Sequence, residues 1–270
     1  MTSAMLTNLQ KLTVQAIVNI FETGSPAGDY ANITVASGDP GHLTYGRSQT
    51  TLASGNLALL IRSYCDAPDA MHADGFRAYL PRLDARDATL DTDARFHSLL
   101  REAATDVTMR RIQDDFFDRC YWHPAVRAAE SLAILSPLGT AVVYDSFIHG
   151  AWSRLRDATL ARAGLPAVAG LPSAPEGAKS KTDERSWIRE YIALRRDWLA
   201  NHPNPLLHRA VYRMDTFLEL AHAANWDLTL PLQAHGVTIS EATFAAGVDN
   251  PPPAQASRYN QFASNLVTDS

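Results

Sequence analysis

The sequence predicts a mainly α-helical protein with one small β-sheet, arranged as two helical lobes around a substrate cleft. Three observations predict it. Apolar residues recur at helical spacing over residues 6–21 and again through most of the chain after Gly46. Between them, residues 30–35 and 42–45 are short, β-branched and aromatic, and the turn sequence Ser37-Gly38-Asp39-Pro40-Gly41 separates them as in a hairpin. The chain has 270 residues, 46% hydrophobic, which is enough to bury a large core.

The first helix is expected over residues 6–21, from Leu6, Leu9, Leu12, Val14, Ile17, Ile20 and Phe21, with Thr7 and Gln10 as a capping box. Glu22 then falls at or just after its C-terminus. A carboxylate there meets the negative end of the helix dipole and an apolar wall, and both favour its protonated form. A turn-rich loop leads to the hairpin. Ser54 is expected to cap a helix carrying Leu57, Leu59, Leu60 and Ile61, and further helices are expected near 69–80, 92–104 and 106–119. Tyr121-Trp122-His123-Pro124 reads as a break, with Pro124 starting a helix to about residue 135. Ser136-Pro137 opens another, to Gly150, and one more runs from Trp152 to about Arg162. Residues 164–182 are Pro- and Gly-rich and read as a linker. Asp183 is expected to cap a helix to about residue 201, and a helix over 206–225 follows the break at Pro203 and Pro205. A short hairpin is expected around His235-Gly236. Residues 251–270 form a Pro-rich tail. No internal repeat is present.

Net charge is −5 with no long run of one sign, which argues against a nucleic-acid partner. No apolar run is long enough for a membrane span, so no membrane insertion is expected. The N-terminus lacks the basic segment and apolar core of a secretory signal. Cys65 and Cys120 read as two buried thiols, with a single bridge as the alternative. The nine histidines show no metal-ligand spacing, so neither a metal nor a cofactor is expected.

Two carboxylates on separate elements at a cleft suggest glycoside hydrolysis. One must be protonated to donate to the leaving oxygen, and Glu22 suits that role. The other must be ionised, and Asp39 suits it, in a glycine-rich turn with backbone N–H groups at hand. Thr44, five residues on, could hold the attacking water. A helix-end Glu and a turn-forming Asp are also commonplace, and spacing by itself leaves both readings open.

The order of these residues is similar to the catalytic segment of the family 46 chitosanases, of the lysozyme-like superfamily. The resemblance rests on Glu22 and on Gly38-Asp39-x-x-x-x-Thr44. It extends to Asp118-Arg119-x-Tyr121-x-x-Pro124-Ala125-Val126, to Tyr144-Asp145-x-x-x-His149-Gly150, and to Leu228-Thr229-Leu230-Pro231-Leu232. It covers about residues 10–240. It implies a lysozyme-like fold, with residues 1–250 as a single catalytic domain in two lobes. It implies an inverting reaction with Glu22 as acid, Asp39 as base and Thr44 as water holder. It also implies a charged network of Asp145, Arg195 and Arg213 behind the acid.

Chitosan is cationic, and the family grips its ammonium groups with acidic residues. One lies in a Gly-Asp pair that is Gly55-Asn56 here. A charge-assisted bond becomes at best a neutral one. The basic residue two positions after the catalytic Asp in many members is Gly41 here, with His42 adjacent. The expectation is therefore an endo-glycosidase leaning to bacterial peptidoglycan, a muramidase-type lysin or toxin. Chitosan hydrolysis is the alternative, and a non-catalytic glycan-binding protein on the same fold is the second. Tyr30, His42, Tyr45 and Asn56 are expected to bind substrate; the tryptophans are more often core residues, with Trp122 and Trp152 the candidates for the cleft. Partners expected are the polysaccharide and an immunity protein or secretion or phage delivery machinery. The expected location is outside the cell or at the envelope, reached without a classical signal peptide or with that signal already removed.

Overall fold

The structure is a computed structural model that describes residues 6–36, 40–47, 49–164 and 184–245. Asp39 with its turn tip, the linker over 165–183 with its capping Asp183, and the tail over 251–270 lie outside the described residues.

Helix α1 spans Asn8–Thr23, opened by the expected capping box: Thr7 Oγ1 accepts from Gln10 N–H, and Gln10 Oε1 from Thr7 N–H. It ends at Gly24, whose φ of 74° closes it by an N–H···O bond to Ile20. Glu22 thus sits inside the last turn, not beyond it. The sheet is shorter and one strand richer than expected. Strands β1 (Ile33–Thr34), β2 (Thr44–Tyr45) and β3 (Thr50–Thr51) pair antiparallel in the order β1-β2-β3. Thr44 lies opposite Thr34 on one side and Thr51 on the other. The two β-branched residues of β3 are too short a run to read as a strand in the sequence.

Helix α2 is Asn56–Cys65. Its cap is Gly55, not Ser54: Gly55 takes φ 81°, and Ser54 Oγ accepts the Asn56 N–H from one residue further out. The helix expected near 69–80 divides into α3 (Ala73–Arg77) and α4 (Leu80–Asp84). A 3-10 turn over Ala88–Thr92 leads to α5 (Ala94–Ala103), capped by Asp93, and Asp106 caps α6 (Val107–Phe117). The break expected at Tyr121–Pro124 is instead a π-helical turn, Asp118–Trp122, running into α7 (His123–Ser131). Pro124 is tolerated because the first-turn N–H groups need no partner inside the helix.

Ser136 caps α8 (Pro137–His149), and α9 is Trp152–Arg162. After the undescribed stretch come α10 (Glu184–Ala200), a 3-10 turn over Leu207–Ala210 and α11 (Val211–His222). The expected hairpin is present as β4 (Leu232–Ala234) and β5 (Val237–Ile239), turning through His235 and Gly236, both at positive φ. A short helix α12, Glu241–Ala245, was not expected.

The described residues fall into two compact units, 6–27 with 121–245, and 28–120. In the first, α8 is buried over ten consecutive residues, Pro137 to Ser146, and packs against α1, α7, α10 and α11. A helix apolar on all sides must lie in a core. Trp122 and Trp152 belong to this core. Trp122 packs edge-on to Tyr144, and Trp152 contacts Phe147, Trp187 and Tyr191. Both are buried, which decides for the core reading of these tryptophans against the cleft one. The second unit is built round Leu43, Tyr45, Leu57, Tyr64, Phe76 and Phe96. Cys65 is buried there and Cys120 is exposed, and both are free thiols.

Candidate active site

In the first unit, Glu22 is held from α11. The end of α1 leaves backbone carbonyls without helical partners. Tyr212 Oη donates to Phe21 O at 2.7 Å, and Arg213 Nη2 donates to the same oxygen at 3.4 Å. Arg213 Nη2 also donates to Glu22 Oε1 at 2.5 Å, and its Nη1 to Asp145 Oδ1 at 2.8 Å. Glu22 keeps 26% of its side chain exposed, whereas Asp145 is fully buried. Glu22 therefore faces a guanidinium as well as apolar groups, a contact that its position after an apolar helix did not foretell.

Asp145 sits on the buried face of α8 because that helix has no exposed face over its first ten residues. Arg195, from α10, is fully buried and completes the cluster. Its Nη1 donates to Gly150 O at 2.8 Å, and its Nη2 lies 3.9 Å from Asp145 Oδ2 and 3.3 Å from His149 Nδ1. The structure thus brings Glu22, Arg213, Asp145 and Arg195 into one chain of alternating charge. Asp215, two residues after Arg213, stays out of this chain and pairs with Arg196 on the exposed side.

The electrostatics follow from burial and alternation. Burial by itself would lower the Arg213 pKa. The charges of Glu22 and Asp145 outweigh that and hold it above its ordinary value. His149 goes the other way: burial first, then Arg213 and Arg195, push it well below the usual imidazole range. It stands in the cluster as a neutral acceptor. His149 was legible as part of a motif but not as a member of this network.

In the second unit, Thr44 is on the central strand, with its hydroxyl 3.5 Å from His42 O. His42 Nδ1 is 2.8 Å from Asp91 Oδ2. The Tyr30 hydroxyl donates to Asp114 at 2.9 Å, and burial pushes its pKa up to about 12. Asp114 also pairs with Arg47. Asn56 is half-buried at the first position of α2. Tyr45 is 0% exposed, and its hydroxyl donates to Leu100 O at 2.8 Å. Tyr45 therefore cannot touch a sugar. It alternates inward because its strand neighbour Thr44 takes the other face. Asp91 and Asp114 were missed because nothing local links them to residues 49 and 84 positions away. Among the described residues no group of three His, Cys, Asp or Glu side chains is placed to hold a metal.

The sequence model of Glycosyl hydrolase family 46 matches residues 16–232. The chain belongs to glycosyl hydrolase family 46. It is a glycoside hydrolase on the lysozyme-like fold of that family. It is similar to a chitosanase of Bacillus subtilis strain 168, with 27% identity over 85% of this chain and 83% of that enzyme. A solved chitosanase of Bacillus subtilis MY002 superposes with a TM-score of 0.66, at 25% identity over 87% of this chain and 100% of the other. A family 46 chitosanase of Gynuella sunshinyii, solved in complex with chitotetraose, gives 0.64 at 25% identity over 87% of this chain and 98% of the other.

Proposed function

We propose that this family 46 hydrolase is an inverting endo-glycosidase that cleaves chitosan, with Glu22 as general acid, Asp39 as general base and Thr44 holding the attacking water. The observation that carries the acid assignment is the Arg213 bridge between Glu22 and Asp145. As Glu22 gives its proton to the glycosidic oxygen, the C1–O bond breaks and a carboxylate forms. Arg213 is already in place to stabilise that carboxylate, and no reorganisation is needed at that moment. Asp145 offsets the cation, so the site does not hold an unbalanced charge. Asp39 would take a proton from water as its oxygen bonds to C1 from the opposite face, giving inversion. That role rests on the family motif Gly38-Asp39-x-x-x-x-Thr44.

The lean towards peptidoglycan rested on Asn56 and His42, and the relatives give it no support. Those named are chitosanases, and one was solved with chitotetraose. Residues 28–120 carry fourteen acids against ten arginines, a balance that attracts a polycation.

The test is turnover on chitosan beside purified cell-wall sacculi, with new reducing ends identified by mass and the first-formed anomer by NMR. Chitosan cleavage with inversion is expected. Release of muropeptides with chitosan untouched would overturn the substrate, and retention would overturn the roles of the acids.

A further inference from the structure

Asp91, on the 3-10 turn Ala88–Thr92, grips the segment between the proposed base and Thr44. Its Oδ1 accepts the Leu43 N–H and its Oδ2 meets His42 Nδ1, both at 2.8 Å. His42 takes φ 56°, a left-handed conformation uncommon for a residue with a Cβ. Its neighbours are tied as well: Ala53 N–H donates to Gly41 O at 3.1 Å and Leu52 N–H to Leu43 O at 2.8 Å. The backbone on either side of His42 therefore lies against the stretch that leads into Asn56 and α2. The imidazole is 38% exposed, and its Nε2 has no partner among the described residues.

The tautomer follows from the partner. A carboxylate only accepts, so Nδ1 carries the proton of the neutral ring and the Nε2 lone pair is free. A lone histidine is neutral or positive. With the neutral ring on the Asp91 carboxylate, the pair carries net negative charge and presents the Nε2 lone pair to a cation. Asn56 offers no such charge. A Cβ at Gly55 would lie 3.6 Å from Arg86 Nη2, so a guanidinium stands beside the start of α2. That neighbour disfavours an ammonium there.

We propose that Asp91 and His42 form an ammonium-binding contact for one glucosamine unit, supplying the negative charge that Asn56 lacks. His42 Nε2 accepts from the ammonium, and Asp91 is the positioning residue that orients the ring and places charge behind it. The inference rests on the chitosan reading and deepens it.

The test uses the full chain carrying Glu22→Gln, so that binding is read without turnover. Glucosamine hexamer and N-acetylglucosamine hexamer are titrated by calorimetry at neutral pH. Adding Asp91→Asn, which retains an oxygen for the Leu43 N–H, should weaken the glucosamine hexamer by about tenfold, as expected when an ionised acceptor becomes neutral. The N-acetylated hexamer should be unaffected. His42→Gln and His42→Ala should show the same selectivity, with melting temperatures reporting the fold. Equal weakening for both oligomers would mean that Asp91 merely braces the turn, and an unmoved glucosamine affinity would remove His42 from the site. A Glu22→Gln chain that binds no glucosamine oligomer at all would end the chitosan reading itself, a failure distinct from the other two.

Discussion

Arg213 Nη1 donates to Asp145 Oδ1 at 2.8 Å inside the core of the first unit, while the other arm of the same guanidinium holds Glu22. The pair links catalysis to stability. A buried arginine with one of its two carboxylates removed keeps its desolvation cost and loses half of its counter-charge.

Asp145→Ala should therefore cost about 3–5 kcal/mol of unfolding free energy, the range for stripping one partner from a buried ion pair. Denaturant titration measures it. Turnover should fall with it, since Arg213 would then have Glu22 as its remaining carboxylate. A stability change within the range of surface ion pairs, about 1 kcal/mol or less, would show that the cluster is not a buried unit.

Glu22→Gln keeps the hydrogen-bonding shape towards Arg213 but has no proton to give. Turnover on chitosan should drop by roughly 10²–10⁴-fold, the usual contribution of a positioned acid, with substrate binding retained. Single-turnover rates alongside binding isotherms check both halves. Near-parental turnover would remove Glu22 from the acid role.

Tyr45→Phe separates a structural tyrosine from a sugar-binding one. The Tyr45 hydroxyl ends on Leu100 O in the core. Leu100 O also accepts the Ala104 N–H, so the substitution removes one buried hydrogen bond, at a cost of about 0.5–1.5 kcal/mol. Melting and denaturant midpoints should fall, with KM unchanged. A raised KM at full stability would contradict the burial.

His149 makes stability depend on pH. Its folded pKa lies well below the usual imidazole value, first through burial and then through Arg213 and Arg195. Between that depressed value and about 6.5, the unfolded chain binds a proton at this site that the folded chain does not. Stability is therefore fully present above about pH 6.5 and declines as pH falls below it, by up to about 1.4 kcal/mol per unit for one group. Unfolding free energies over pH 5–7 should show a shallower slope in His149→Gln than in the parent, and equal slopes would assign the effect to other groups.

Much of the architecture was legible along the chain. Helix ends are local events: the Thr7–Gln10 capping box, Ser136 before Pro137, and Trp152 to Arg162 each fall where short-range hydrogen bonding and φ preferences put them. The hairpin at His235-Gly236 follows from two positive-φ positions in sequence. Glu22, Asp145, Arg195 and Arg213 were legible through ordered motifs, and the structure joins them in one network.

What the sequence by itself determined is the order of helices, the placing of the small sheet after the first helix, and the membership of a charged set around Glu22. Tertiary structure alone decided which side chains meet water. Tyr45 reads as a sugar contact and is core, Trp122 and Trp152 read as either and are core, while Asp91, with no local signal, reaches His42 across 49 residues. The reason is physical. Capping and periodicity are set by neighbours within about one turn of helix, whereas burial and charge pairing are set by whatever distant segment packs on the same face.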